Sequence, residues 1–331
     1  MSYSIPSPRL ILAPIRGITD GIYRSIAAEC FGGFDAAMAP FVTTVSAANI
    51  PSAFLRDLAP EKNTALPVEP QLLGKSAADF LRMAKRLFDQ GYESVNLNMG
   101  CPFPRVANKG RGSGMLPDPD GVARFLDETA ARLPGRLSIK LRLGRTDAAE
   151  IINLMPVLNR FPLAALTIHP RLGTQMYDGR PDLEIFARCL EMSRHPVIYN
   201  GDINAVGDWE VLAGRFPTVA GWMIGRGALS DPFLASAIKA GPVAYPPDPA
   251  DAIREFHQAL LDAYQERLSG PGHLLDRMKG LWQYLSVRFA DRGALLKAVQ
   301  KCRRLDLYED AVARFFDGRP QWTPLPPADW R

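Results

Sequence analysis

The chain has 331 residues, 47% of them hydrophobic and 22% charged, with a net charge of +4. That is ordinary globular composition, long enough for one large domain and a smaller one, and it needs no metal or disulfide staple to bury a core. A balance so near neutral argues neither for nor against a nucleic-acid partner, so any basic footprint must be local.

Short apolar runs alternate with helix-like segments up to about residue 240. The runs cover residues 10–14, 36–42, 68–73, 94–99, 137–143, 165–169, 196–200 and 221–225. They are too continuously apolar for one-sided strands and read as strands buried on both faces, as parallel sheets require. Between them, residues 76–90 begin with a capping serine and place Phe80, Ala84 and Leu87 on one face. Residues 118–133 carry Pro119 at a first turn, with Val122, Phe125, Leu126 and Ala130 at helical spacing. The segment after Thr146 should break or kink at Pro156, and Asp231-Pro232 opens a helix to about residue 240. Eight strand–helix repeats in roughly 240 residues predict a (β/α)8 TIM barrel over 1–240. A doubly wound open sheet is the alternative, but the first strand ends Ala13-Pro14-Ile15-Arg16-Gly17 and lacks a G-x-G-x-x-G turn. The proline-dense stretch 241–249 reads as a linker. Helices over 250–268, 274–289, 294–302 and 308–316, then a Pro- and Trp-rich tail, predict a small all-helical domain over 250–331.

Cys30, Cys101, Cys189 and Cys302 form no C-x-x-C pair. They read as reduced thiols of a cytoplasmic protein with no metal. Residues 1–12 carry no signal-peptide pattern, and no apolar stretch is long enough to span a bilayer.

Barrel enzymes build their sites at the C-terminal ends of the strands. There the chain offers Gln71, then Asn96, Asn98 and Cys101, then Lys140 and Arg142 two apart on one face. His169 and Arg171 follow, then Asn200-Gly201-Asp202 and Gly225-Arg226-Gly227. Any one has an ordinary reading: a strand-end amide caps a turn, a lone histidine is a bonded core residue. Together they converge on one mouth, where a polar ligand would partner groups that are costly to bury alone. The glycines at 201, 225 and 227 allow backbone N–H groups close to a phosphate, and Arg226 adds charge. A phosphorylated cofactor, FMN, fits that pattern, with Lys140 near the pyrimidine edge of its ring.

The ordered motifs resemble the tRNA-dihydrouridine synthase family. They are Ala13-Pro14-Ile15-Arg16-Gly17-Ile18-Thr19-Asp20, Gln71-Leu72, Asn98-Met99-Gly100-Cys101-Pro102 and the glycine-rich loop Lys109 to Leu116. After them come Lys140-Leu141-Arg142-Leu143-Gly144, His169-Pro170-Arg171 with Tyr177, Asn200-Gly201-Asp202-Ile203 and Met223-Ile224-Gly225-Arg226-Gly227. Three positions depart from the family pattern: Ile15 for methionine, Leu172 for threonine, and Met115 in a leucine pair. The resemblance implies FMN, NADPH as electron donor, and reduction of the C5=C6 bond of uridines in tRNA. Hydride would pass from FMN N5 to C6. Cys101, on the loop after the fourth strand, would give the proton to C5, since an unperturbed thiol is mostly protonated at pH 7. By motif, Ala13, Pro14, Ile15, Gln71, Lys140, His169, Asn200, Gly201, Asp202, Gly225 and Arg226 would hold FMN. Asn98, Arg142, His169 and Tyr177 would face an extruded uridine. The spacing over 273–285, with Tyr177, leans toward the C-type bacterial subgroup.

Between residues 277 and 304 lie Arg277, Lys279, Arg288, Arg292, Lys297, Lys301, Arg303 and Arg304, against Asp291 alone. That excess predicts phosphate contacts to tRNA, with Arg277, Lys279 and Arg288 among them. A solvated helix face is the plainer reading. A monomer is expected. Two rival functions stay open: an FMN barrel enzyme acting on a free small molecule, of dihydroorotate-dehydrogenase or ene-reductase type, and a non-catalytic flavin- or RNA-binding protein.

Overall fold

The structure, a computed structural model, describes residues 7–46, 55–240, 245–323 and 325–327. Ten parallel strands form one sheet: β1 (Leu10–Leu12), β2 (Ala36–Met38), β3 (Val42–Thr43), β4 (Val68–Glu69), β5 (Gln71–Leu73), β6 (Ser94–Met99), β7 (Arg136–Gly144), β8 (Leu163–Leu172), β9 (Val197–Tyr199) and β10 (Gly221–Ile224). Their order is β3-β5-β6-β7-β8-β9-β10-β1-β2-β4. The two ends of that order are halves of the same runs. β2 pairs with β4, and β3 with β5, so the second and third apolar runs lie side by side and close the ring. Each run is split because a proline, Pro40 or Pro70, interrupts it and has no N–H for the ladder. The eight expected strands are thus present as a closed (β/α)8 barrel.

Helices cover the outside: α1 (Gly21–Phe31), α2 (Ala77–Asp89), α3 (Pro104–Ala107), α4 (Pro119–Thr129), α5 (Ala149–Leu158), α6 (Leu183–Met192), α7 (Val206–Arg215), α8 (Arg226–Ser230) and α9 (Leu234–Ala240). The expected caps form: Ser76 accepts from the Asp79 amide, and Asp118 from the Gly121 amide. Pro156 does not break α5. It sits in the last turn, and the helix stops two residues later. The helix expected from Asp231 begins three residues later, as α9, and Asp231 is instead the C-cap of the short α8 before it.

Strand alternation divides the side chains into two sets. Leu12, Leu97, Leu141, Ile168, Tyr199 and Ile224 face the helices and join the main core. Ile11, Ala13, Met38, Ile198 and Met223 form a separate apolar cluster inside the barrel.

After Tyr245 the chain is helical, in α10 (Pro249–Arg267), α11 (Pro271–Leu285), α12 (Arg292–Lys301) and α13 (Leu305–Asp317). Of the proposed linker, residues 241–244 lie outside the described residues. This helical region is continuous with the barrel core. Phe256 packs edge-on to Tyr23 and Phe31 of α1, at centroid distances of 5.7 and 4.9 Å. Among the described residues no helix is long and apolar enough to cross a membrane.

Candidate active site

A cavity of about 360 Å3 opens at the C-terminal ends of the strands. Ala13, Pro14, Ile15, Gln71, Asn98, Cys101, Lys140, Arg142, His169, Tyr177, Asn200, Gly201, Asp202, Gly225 and Arg226 all line it. Arg277, Lys279 and Arg288 do not. Among the described residues, five cations, Arg16, Arg105, Lys140, Arg142 and Arg226, line it against a single carboxylate, Asp202. Such a mouth selects an anionic ligand.

The carboxylate is already spoken for. Arg171 is fully buried and grips both Asp202 oxygens, at 2.9 and 2.5 Å, while Arg226 adds a third bond at 3.0 Å. Asp202 therefore acts by fixing Arg226, and the group of three keeps one positive charge. Arg171 also lies 3.1 Å from His169 Nε2. An arginine can only donate, so Nε2 is the acceptor and a neutral imidazole carries its proton on Nδ1. Burial, then Arg142, Lys140, Arg171 and Arg226, hold the His169 pKa well below its ordinary value, which keeps the ring neutral.

Lys140 stands mid-strand with its ammonium toward the cavity. Burial first, and Arg142 second, lower its pKa to about 7. Arg142 is lowered to about 10, chiefly by burial, and stays charged at neutral pH. Its guanidinium donates to the Leu172 carbonyl at 2.7 Å and lies 5.5 Å from the Tyr177 ring centroid. Arg226 lies 5.1 Å from the same ring, so Tyr177 sits among cations, 39% exposed.

Cys101 is 5% exposed. Burial pushes its thiol up, against weaker lowering by the Phe103 amide and by Arg16, Arg142 and Arg105. At neutral pH it is a protonated thiol, suited to give a proton rather than to attack. Its loop is held from two sides. Asn98 Oδ1 accepts the amides of Gly100 and Cys101, at 3.1 and 2.9 Å. From the glycine-rich loop, the Ser113 amide and hydroxyl both donate to the Cys101 carbonyl, at 3.1 and 3.0 Å.

Asn98 was expected to face substrate, and Gln71 the cofactor. The structure binds both into a buried series. Asn98 Nδ2 donates to Gln71 Oε1 at 2.8 Å, and Gln71 Nε2 to Asn96 Oδ1 at 2.7 Å. Asn96 Nδ2 donates to Ser138 Oγ at 2.6 Å, and Ser138 to Glu69 at 2.8 Å. Both acceptor sites of the Asn98 oxygen are taken, so only its second N–H remains for a ligand. Gln71 keeps one acceptor site. Glu69, its pKa raised by burial and opposed by Ser138 and Ser94, borders a second cavity of about 400 Å3 at the other end of the barrel.

Arg288 was expected to meet RNA phosphate and cannot. It is 0% exposed and pairs with buried Asp231 at 3.2 Å. Arg277 pairs with Asp20 at 3.3 Å and donates to the Gly17 carbonyl, and Lys279 donates to the carbonyls of Gln300 and Cys302 at the end of α12. Lys297, Lys301 and Arg303 are exposed. The cavity also holds residues that strand-end reasoning missed: Arg16, Phe41, Phe103, Arg105 and Tyr284. Arg16 lay within the first motif, but nothing in the sequence around Tyr284 signals a place in the barrel mouth.

The fold and this site define a class: a TIM-barrel enzyme with a cationic mouth for an anionic ligand and a protonated thiol in its wall. The family description "Dihydrouridine synthase (Dus)" matches residues 11–302, and the chain belongs to that family. The tRNA-dihydrouridine(16) synthase of Ralstonia nicotianae is 31% identical, over 92% of this chain and 97% of that one. The protein of the same description from Cupriavidus necator is 32% identical, over 70% and 73%. Among solved structures, histamine dehydrogenase from Rhizobium sp. 4-9 shares the fold with a TM-score of 0.54 at 13% identity, over 77% of this chain and 48% of that one.

Proposed function

We propose that this enzyme reduces the C5=C6 bond of a uridine in tRNA to dihydrouridine, with FMN as its flavin and NADPH as electron donor. The observation that carries this reading is the pairing of a strongly cationic cavity with a protonated Cys101 in its wall. Family membership and relatives described as acting on tRNA support it.

The residues present fit FMN. Among the described residues Lys140 has no carboxylate partner, and burial disfavours its charged form, as in a site awaiting an anion. Arg226, Lys140, His169, Asn200, Gly201 and Gly225 would hold the cofactor, with Ala13, Pro14 and Ile15 against its ring. When bound, FMN supplies the hydride for C6 of the base. Cys101 gives the proton to C5, and the charges of Arg16, Arg142 and Arg105 favour the thiolate left behind. Arg142 and Tyr177 receive the base, which must leave its stack to enter. Neutral His169 offers an N–H donor without adding charge.

The first test is Cys101→Ala. The variant should keep its flavin absorbance and lose about 10²- to 10⁴-fold in reoxidation of the reduced enzyme by unmodified tRNA. Near-normal turnover would remove Cys101 from the mechanism. Reoxidation by free uridine or orotate, but not by tRNA, would favour a small-molecule reductase instead. Position 16, named in both relatives, is the target to map first, by comparing dihydrouridine in tRNA from cells with and without this gene.

A further inference from the structure

Arg171 is absent from the cavity lining, yet its bonds reach both sides of the site. It is 0% exposed and stands two residues beyond His169 on β8, so the two side chains leave the same face of the strand. A guanidinium carries five N–H groups in a rigid fork, and here each has a partner. Nη1 donates to His169 Nε2 at 3.1 Å and to Asp202 Oδ1 at 2.9 Å. Nη2 donates to Asp202 Oδ2 at 2.5 Å and to the Gly179 carbonyl at 2.8 Å. Nε donates to the Asp178 carbonyl at 3.3 Å.

These partners divide between two ligand regions. His169, and Arg226 through Asp202, stand where the flavin would be held. Asp178 and Gly179 directly follow Tyr177, whose ring lies between Arg142 and Arg226 on the side assigned to the base. The Tyr177 loop needs such an anchor. Its backbone is left-handed at Met176, φ +53°, and again at Gly179, φ +69°. A residue with a Cβ keeps that conformation only where its surroundings impose it. The two carbonyls held by Arg171 are the first backbone groups beyond Tyr177 to be fixed from the barrel.

We propose that Arg171 is a positioning residue that ties the base side of the site to the flavin side. Through Asp178 and Gly179 it sets Tyr177, and through His169 and Asp202 it sets two groups that hold the flavin. This rests on the uridine reading above. The two ligand regions then share one fixed point, and disturbing it loosens both. Lysine is no substitute, because a single ammonium on a flexible stem cannot span four residues as the planar fork does.

The test uses the full chain as Arg171→Lys, which keeps a cation against Asp202, and as Arg171→Gln should the lysine variant not fold. Two constants are measured: the flavin dissociation constant, and the half-saturating tRNA concentration for reoxidation of reduced enzyme at saturating flavin. Both should rise about tenfold. Asp202→Asn leaves the Asp178 and Gly179 bonds in place and should act mainly on the flavin constant. Tyr177→Ala, added to Arg171→Lys, should raise the tRNA constant no further than Tyr177→Ala alone, because both changes remove the same contact. A change in the flavin constant alone overturns the proposal. So does a tRNA loss that multiplies in full with that of Tyr177→Ala, or one that merely tracks a lowered unfolding temperature. Wild-type enzyme that tRNA does not reoxidise would refute the uridine reading and this proposal with it, whereas failure of the proposal alone leaves that reoxidation intact.

Discussion

Lys140 shows how a single side chain records the ligand it waits for. Burial lowers its pKa to about 7 in the flavin-free protein, against 10.5 for an ordinary lysine, so it is only partly charged at neutral pH. An anion beside it restores the charge, so flavin binding at pH 7 should take up a fraction of a proton at this site. Calorimetry in buffers of different ionisation enthalpy would read that uptake, and Lys140→Met should abolish it. The same shift has a signed effect on stability. Between about pH 7 and 10.5 the unfolded chain holds this proton and the folded one does not. Stability of the flavin-free protein should therefore rise with pH across that window and level off below it. Urea midpoints at pH 7 and 9 would check the direction. Lys140 was legible in the sequence because a lysine in mid-strand is almost never fully buried without a partner. The engagement of Asp202 by Arg171 was not, since the two partners lie on different strand ends and only the closed barrel brings them together.

At the scale of elements, the loop after β6 depends on its glycine-rich neighbour. Gly112 has φ +57°, and a Cβ there would lie 2.8 Å from the Cys101 carbonyl oxygen and 2.9 Å from its Cβ. Gly112→Ala should cost about 2 kcal/mol from backbone conformation and crowding together. Because the pressure falls on Cys101, turnover should drop while flavin binding persists, which unfolding curves and flavin titration would separate. The strand runs were legible from continuous apolar character, and the helices after β5 and before β7 from their caps and spacing. The splitting of two runs was visible only as Pro40 and Pro70. What a proline does inside a barrel wall depends on which neighbour its missing N–H would have met. Asn98 was placed at a strand end, but its bonds to Gln71 and to the Cys101 loop were not foreseen, because period-two alternation says where an amide points and not what it meets.

Over the whole molecule, the helical region shows the limit of counting charges. Arg288 and Asp231 are an internal fastening, and a run of basic residues does not distinguish a fastening from a phosphate contact. Arg288→Ala leaves Asp231 buried without its ion-pair partner and should cost about 3–5 kcal/mol of stability, measured by denaturant unfolding. Replacing exposed Lys297, Lys301 and Arg303 with alanine should leave stability nearly unchanged. It should weaken tRNA binding and lower the slope of log affinity against log salt by up to about one for each phosphate no longer engaged. An equal loss of salt dependence in Arg288→Ala, without loss of stability, would reverse the assignment.

The buried series from Asn98 to Glu69 has a direction, and both ends dictate it. At one end the Gly100 and Cys101 amides can only give hydrogen, so the Asn98 oxygen must face them and its nitrogen must point onward. At the other, Ser138 receives from Asn96, whose nitrogen can only give, and so turns its own hydrogen to Glu69. Every group between is left a single orientation, like compass needles set between two fixed poles. The amide that holds the catalytic loop is thus tied, bond by bond, to the carboxyl group on the floor of the barrel. Glu69→Gln, which can give as well as receive, would free that end to point either way.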